Sequence, residues 1–275
     1  MKPQPIMFTD LDGTLLDHGT YDFEPALPAL DAVRQREIPL VFCSSKTRAE
    51  IEYWREKLDN VHPFISENGG GIFIPRTCFL ESHIQAVWPN IEMMGGYFAI
   101  VLGKPYSDFR RTIQELRESG FEIKGFGDMS PAEVADITGL SMDQARLAKK
   151  REFDETFLFV GDQAELTRLV ASIAAKGLRH SQGKFYHLMG DNDKGKAVEI
   201  LKRLYGRKFD RIISIGLGDS PVDFPMLEKV DHPVLVKNYK GEYDPRIKLP
   251  NLIKAEGIGP EGWNKAVLTL IQGRP

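Results

Sequence analysis

Residues 6–14, Ile6-Met7-Phe8-Thr9-Asp10-Leu11-Asp12-Gly13-Thr14, decide the reading of this chain. A short apolar run stops at a carboxylate, and a second carboxylate, a glycine and a hydroxyl follow at once. Such a run reads as a buried parallel strand that ends in a polar loop. Gly13 lets backbone approach closely, and the Thr14 hydroxyl is a free donor.

The same grammar recurs outward from this point. Leu27, Leu30, Ala32 and Val33 fall at helical spacing within 25–37. Ile38 to Phe42 reads as a second buried strand with the polar loop Cys43-Ser44-Ser45-Lys46 behind it. Thr47 is a helix N-cap with Glu50 three residues on, the capping-box spacing. Phe64 and Ile65 begin a third strand, Asn68-Gly69-Gly70-Gly71 breaks it, and Ile72 to Ile74 return as a hairpin. Towards the other end, Lys194 to Tyr205 is an amphipathic helix, and Arg211 to Ile215 is a strand followed by Gly216-Leu217-Gly218-Asp219. Pro221 to Lys229 is a helix, Pro233 to Val236 a strand, and Glu256 to Trp263 a Gly-rich loop before a short helix. Strands alternating with helices predict an α/β fold with a Rossmann-like parallel sheet and right-handed crossovers.

The middle of the chain breaks this rhythm. Strands are expected at 97–102, 121–125, 157–160 and 184–188, with helices at 106–120, from Ser130-Pro131-Ala132-Glu133, from Ser141 and at 164–176. The expected division is a core of residues 1–87 and 187–275 with an inserted α+β cap at 88–186.

Composition narrows the function classes. With 36 basic and 39 acidic residues the formal charge is −3, which leaves no electrostatic footprint for nucleic acid or an anionic membrane. Cys43 and Cys78 match no zinc or redox spacing and read as reduced thiols. No apolar run reaches the roughly 18 residues of a membrane span. Lys2 followed by Pro3 and Pro5 does not read as a signal peptide, so a cytoplasmic protein is expected.

In open α/β sheets ligands bind beyond the carboxyl ends of the strands, where Asp10, Asp12, Ser44, Asp219 and Asp223 would meet, with Lys194 arriving from a helix start. Carboxylates without His or Cys partners favour a hard cation, and Mg²⁺ suits a site that also takes phosphate. An Asp can attack phosphorus to give an aspartyl-phosphate, with a cation and a lysine offsetting the repulsion between anions. Asp12, two residues beyond Asp10, could protonate the leaving alcohol and then deprotonate water.

These segments resemble the four motifs of the haloacid dehalogenase superfamily phosphatases: Asp10-Leu11-Asp12-Gly13-Thr14-Leu15-Leu16-Asp17, then Ser44, then Lys194-Gly195, then Gly218-Asp219-Ser220-Pro221-Val222-Asp223. A cap between the second and third motifs implies the members with the larger α/β cap, type IIB. The resemblance implies Asp10 as nucleophile and magnesium ligand, and Asp12 as general acid/base that binds the metal through its backbone carbonyl. It implies Ser44 and Lys194 as phosphoryl holders, and Asp219 and Asp223 as metal residues. Val222 stands where many members have Asn.

Ser44-Ser45-Lys46-Thr47-Arg48-Ala49-Glu50, Glu67-Asn68-Gly69-Gly70, Arg151-Glu152-Phe153-Asp154-Glu155, Asp193-Lys194-Gly195-Lys196-Ala197 and Gly259-Pro260-Glu261-Gly262-Trp263-Asn264 resemble, more narrowly, the mannosyl-3-phosphoglycerate phosphatase family. That implies hydrolysis of 2-O-mannosyl-3-phosphoglycerate to the compatible solute mannosylglycerate. A glucosyl substrate, a broader sugar-phosphate range, a phosphomutase and a silent binding protein remain as alternatives. Such a substrate needs phosphate, carboxylate and sugar contacts. Ser45, Lys46 and Asn68 are candidates near the phosphate. Lys149, Lys150, Arg151, Arg179 or His180 could meet the carboxylate, and Glu67, Asn68, Glu152 and Asp154 the hydroxyls. Plainer readings stand beside several of these. Asp223 can be a first-turn helix acid, Asn68 to Gly71 a hairpin turn, Lys149 to Arg151 a solvated face, and His187 a core or cleft-edge residue.

Overall fold

The computed structural model describes residues 3–272; Lys2 lies outside them. In chain order the strands are β1 (Gln4–Thr9), β2 (Leu40–Cys43), β3 (Phe64–Ser66), β4 (Gly71–Pro75), β5 (Glu92–Met94), β6 (Tyr97–Val101), β7 (Glu122–Gly125), β8 (Asp154–Val160), β9 (Arg179–Gln182), β10 (Tyr186–Met189), β11 (Ile212–Gly218), β12 (His232–Lys237) and β13 (Ile253–Ile258). Nine form one sheet in the order β13-β12-β11-β1-β2-β3-β4-β6-β5. From β13 to β3 every pairing is parallel; β4, β6 and β5 extend the edge in antiparallel fashion.

The apolar run before Asp10 is continuous because both faces of β1 are covered. Ile6 and Phe8 join the cluster that holds Ala197, Val198 and Leu204 of helix Lys194–Lys208. Met7 faces the other way, into a cluster with Trp54 of helix Arg48–Lys57 and Trp263 of helix Gly259–Ile271. Alternate residues of a strand point to opposite faces, so a central strand under two helical layers reads as unbroken apolar sequence. The side chains of Thr47 and Glu50 form the expected capping box, as do Ser130 with Glu133 and Ser141 with Gln144.

A second, antiparallel sheet runs β7-β8-β10-β9. Helices Tyr106–Glu118 and Gln163–Ala175 cover it through Phe109, Ile113, Leu169 and Ile173. Helices Pro131–Thr138 and Met142–Ala148 add a small cluster around Phe126, Val134 and Ala145.

Three expectations shift. Residues from 88 onward do not all leave the large sheet, because Tyr97–Val101 pairs with β4 from Pro75 to Gly71 and carries β5 with it. At the other end His187 to Met189 pair with β8 in the small sheet. Apolar periodicity identifies a strand but not its partner. The segment read as a Gly-rich loop at 256–263 is instead the end of edge strand β13 and the start of a thirteen-residue helix.

Candidate active site

Asp10 follows β1 directly, and its N–H donates to the carbonyl of Leu217 on β11 (2.9 Å), so two parallel strands fix where its side chain emerges. The Lys194 ammonium donates to Asp10 Oδ1 and to Asp223 Oδ1, each at 2.6 Å. Lys194 is the first residue of its helix and only 2% exposed. Asp223 Oδ2 accepts from the N–H of Asp219 and from the N–H and hydroxyl of Ser220, all at 3.1 Å. Thr14 donates to Asp219 Oδ1 at 3.0 Å. Gly13, at φ +81°, lets the first loop lie against the fourth: a Cβ there would sit 2.9 Å from Asp219 Oδ2. Residues from three sequence regions thus converge at one end of the sheet.

The charges do not balance. Asp10, Asp219 and Asp223 each offer an oxygen within 4.8 Å of the others, and among the described residues Lys194 is the lone cation bonded among them. Burial and the Asp223 carboxylate push Asp10 up to about 7 against the pull of Lys194. Burial, then Asp223 and Asp10, push Asp219 well above its ordinary value. Burial disfavours the Lys194 cation, yet the two carboxylates raise its pKa and hold it charged. A set of buried, mutually repelling oxygens with no nitrogen or sulfur donor suits a hard divalent cation such as Mg²⁺.

Asp12 Oδ2 lies 3.0 Å from Lys46 Nζ, while its Oδ1 is buried without a partner among the described residues. Lys46 also lies 3.7 Å from Glu50 and stacks over the Tyr21 ring. It therefore orients Asp12, and it lines the cavity beside it. Ser45 lines the same cavity, whereas Ser44 is 1% exposed and its hydroxyl accepts from the Lys46 N–H. Asn68 lines the cavity with both amide atoms buried and without a partner among the described residues. It and Glu67 hold φ of 54° and 48°, a left-handed pair that is uncommon outside glycine.

The cavity runs from these groups to a second wall made by Phe126, Leu140, Arg151, Thr156, Phe185 and His187. Between the two, segment 151–154 joins the sheets. Glu67 Oε2 accepts from the backbone N–H groups of Phe153 (2.6 Å) and Asp154 (2.8 Å), and its carboxylate also takes the N–H of Glu152. Burial and the neighbouring Asp154 push Glu67 up to about 8, with Arg151 and the amides pulling against them. Arg151 donates to Asp154 Oδ1 (2.5 Å) and to the Ser45 carbonyl (3.0 Å). Arg48 pairs with Glu152 at 3.0 Å. Gly70 is obligatory beside Phe153, whose Cβ would lie 2.4 Å from any Cβ there.

Several expected contacts are thereby committed elsewhere. Glu67, Glu152 and Asp154 bind protein groups, not free space. Lys149 donates to the carbonyls of Phe126 and Met129, and Lys150 is exposed and does not line the cavity. Arg179, with its side chain 55% exposed, pairs with Asp191 at 3.2 Å outside the cavity. His180 lies in the same exposed edge strand. The sequence reading passed over His18, Tyr21 and Lys184, all of which line the cavity. The residue order around them carries no motif, and Lys184, expected to open a strand, instead lies just before β10 begins at Tyr186.

A family model described as haloacid dehalogenase-like hydrolase matches residues 7–87 and 132–244, which takes in all four loops of the site. The chain belongs to the haloacid dehalogenase-like hydrolases. A glucosyl-3-phosphoglycerate/mannosyl-3-phosphoglycerate phosphatase of Methanococcoides burtonii is 47% identical over 97% of each chain. A mannosyl-3-phosphoglycerate phosphatase of Pyrococcus furiosus is 37% identical over 86% of this chain and 93% of its own. The solved structure of Thermoplasma acidophilum 0175 shares the fold, at a TM-score of 0.70 and 15% identity over 98% of this chain and 99% of that one. This haloacid dehalogenase-like hydrolase is a phosphatase. In it Val222 faces the cavity, and Asp223 beneath it is fully buried against Lys194. Among the described residues no helix is long and apolar enough to cross a membrane.

Proposed function

We propose that this phosphatase hydrolyses 2-O-mannosyl-3-phosphoglycerate to mannosylglycerate through an aspartyl-phosphate on Asp10. The observation that carries the reading is Asp10 at the cavity floor, its Oδ1 held 2.6 Å from Lys194. That contact fixes one oxygen and aims the carboxylate at a phosphoryl group whose charge the same lysine would meet. Asp10 attacks phosphorus, the P–O ester bond breaks, and the leaving alkoxide takes a proton from Asp12. Asp12, held by Lys46, then removes a proton from water as it attacks phosphorus. The Asp10–phosphorus bond breaks and inorganic phosphate leaves. Asp10, Asp219 and the Asp12 carbonyl would hold Mg²⁺, with Asp223 in support, and the ion would supply positive charge against the phosphoryl oxygens.

Asn68, with two amide atoms unpartnered among the described residues, and Ser45 support binding of the phosphoryl or glycerate end. The small-sheet unit, taken as about residues 106–189, serves as the cap that selects the organic part. The printed name of the Methanococcoides burtonii relative supports a glucosyl substrate as the second reading. A soluble substrate with two anionic groups, a phosphate and a carboxylate, is consistent with a cytoplasmic enzyme. Phosphate release from mannosyl-3-phosphoglycerate, glucosyl-3-phosphoglycerate and plain 3-phosphoglycerate, with and without Mg²⁺, tests this. The expected result is Mg²⁺-dependent turnover of the mannosyl compound well above plain 3-phosphoglycerate. Equal turnover of the unglycosylated compound would overturn the substrate, and retention of phosphate on a second hydroxyl would point to a mutase.

A further inference from the structure

The cap wall of the cavity sets the apolar side chains of Phe126, Leu140 and Phe185 beside the polar ones of Thr138, Arg151, Thr156, Lys184 and His187. One titratable side chain there is built in with unusual care. His187 on β10 is 8% exposed. Its Nδ1 lies 2.9 Å from Asp154 Oδ2 and 3.4 Å from the Thr156 hydroxyl. Asp154 is fully buried and also takes Arg151, whose guanidinium reaches the Ser45 carbonyl in the second loop. A chain of contacts therefore runs from the catalytic-end loop through Arg151 and Asp154 to the ring. Nδ1 faces the buried acid, so the ring edge that lines the cavity is the one carrying Nε2. That nitrogen has no hydrogen-bond partner among the described residues.

Tautomer chemistry assigns its role. Burial raises the Asp154 carboxyl, and the Arg151 guanidinium on its Oδ1 offsets this and holds it below its ordinary range, so Asp154 is an acceptor. Facing an acceptor, Nδ1 carries the hydrogen, and in the neutral ring Nε2 is left with a lone pair. A fixed ring nitrogen beside the apolar side chains of Phe126, Leu140 and Phe185 fits a sugar ring, which presents C–H faces to apolar groups and a hydroxyl to one fixed partner.

We propose that His187 is a specificity-determining residue whose Nε2 accepts a hydroxyl of the substrate's glycosyl group, with Asp154 and Arg151 as positioning residues. The sugar assignment rests on the glycoside reading above. An acceptor oriented by a buried ion pair rewards a hydroxyl at one place and offers no such contact to an ester without hydroxyls.

The test compares His187→Ala and His187→Gln with the parent on mannosyl-3-phosphoglycerate and on phenyl phosphate, which has no sugar. For His187→Ala the expected result is a tenfold or greater rise in KM for the glycoside, a kcat within about threefold, and phenyl phosphate turnover within twofold. His187→Gln, which keeps an acceptor, recovers part of the loss. Equal losses on both substrates, or none on either, overturn the proposal. If the parent hydrolyses no glycosyl-3-phosphoglycerate, the proposed function falls by itself; the same comparison then runs on hexose phosphates against phenyl phosphate, with the same two outcomes. Nitrogen-15 NMR of the histidines gives an independent reading. An unprotonated Nε2 that shifts on addition of mannosylglycerate is expected, and a protonated, unresponsive Nε2 overturns the assignment.

Discussion

Two buried clusters of charge face the same cavity, and they are built on opposite plans. At the end of the large sheet three carboxylates share one lysine, so the group holds more negative charge than it can satisfy. At the joint between the sheets Arg151, Asp154 and Glu67 are nearly balanced, and backbone amides take up the rest. Burying a charge costs several kcal/mol unless it is paired. A balanced cluster is therefore architecture, whereas an unbalanced one stores a demand for a ligand of the missing sign.

Breaking each cluster should break a different property. Asp10→Asn removes the proposed nucleophile and should lower phosphate release by about 10⁴-fold or more while the chain stays folded. Release at the parent rate would refute the covalent role. Arg151→Ala leaves Asp154 and Glu67 uncompensated and should destabilise the protein by about 3–5 kcal/mol, read by denaturant unfolding. A loss below 1 kcal/mol would mean that the joint does not depend on this pair.

The pH dependence separates the clusters further. Without a cation, Asp10 is raised from 3.8 to about 7. Between those values the folded chain keeps a proton that the unfolded chain has released, so Asp10 makes stability fall as pH rises through that window. Asp10→Asn lacks this slope. Its Tm relative to the parent should climb between pH 5 and 8, by about 2–4 °C for each kcal/mol involved, and Mg²⁺ at pH 8 should lift the parent more than the variant. A pH-independent difference between the two would contradict the charge imbalance. Arg179→Ala defines the quiet end. Exposed and paired with a solvated Asp191, it should change stability by less than about 0.5 kcal/mol and leave KM for the glycoside unaltered.

The large-sheet end was legible in the sequence because buried parallel strands write themselves as apolar runs, and each run here stops at a functional polar residue. Asp10 and Asp219 could be placed together on that basis, with Lys194 arriving from a helix start. The joint could not. Arg151, Glu152 and Asp154 look like free polar groups in a string of letters, and only the fold reveals that Glu67, far away in sequence, has taken the amides of Glu152, Phe153 and Asp154 and that Arg151 is spent on Asp154. Strand β9, Arg179-His180-Ser181-Gln182, has no apolar pattern at all, which is why Arg179 could be mistaken for a cavity residue. Lys46 shows a subtler limit: its loop was read correctly, but Asp12 and Glu50 compete for its charge. His187 sat between two readings because burial and ligand binding use the same alternating position on a strand.

The way Glu67 grips the cap has a consequence for how such enzymes diversify. It holds main-chain N–H groups, which almost every amino acid supplies. The fastening is therefore indifferent to the side chains it fastens. Side chains along the small-sheet wall can therefore change while the same carboxylate keeps the two sheets joined. Modularity here is a property of one acidic residue that recognises peptide bonds.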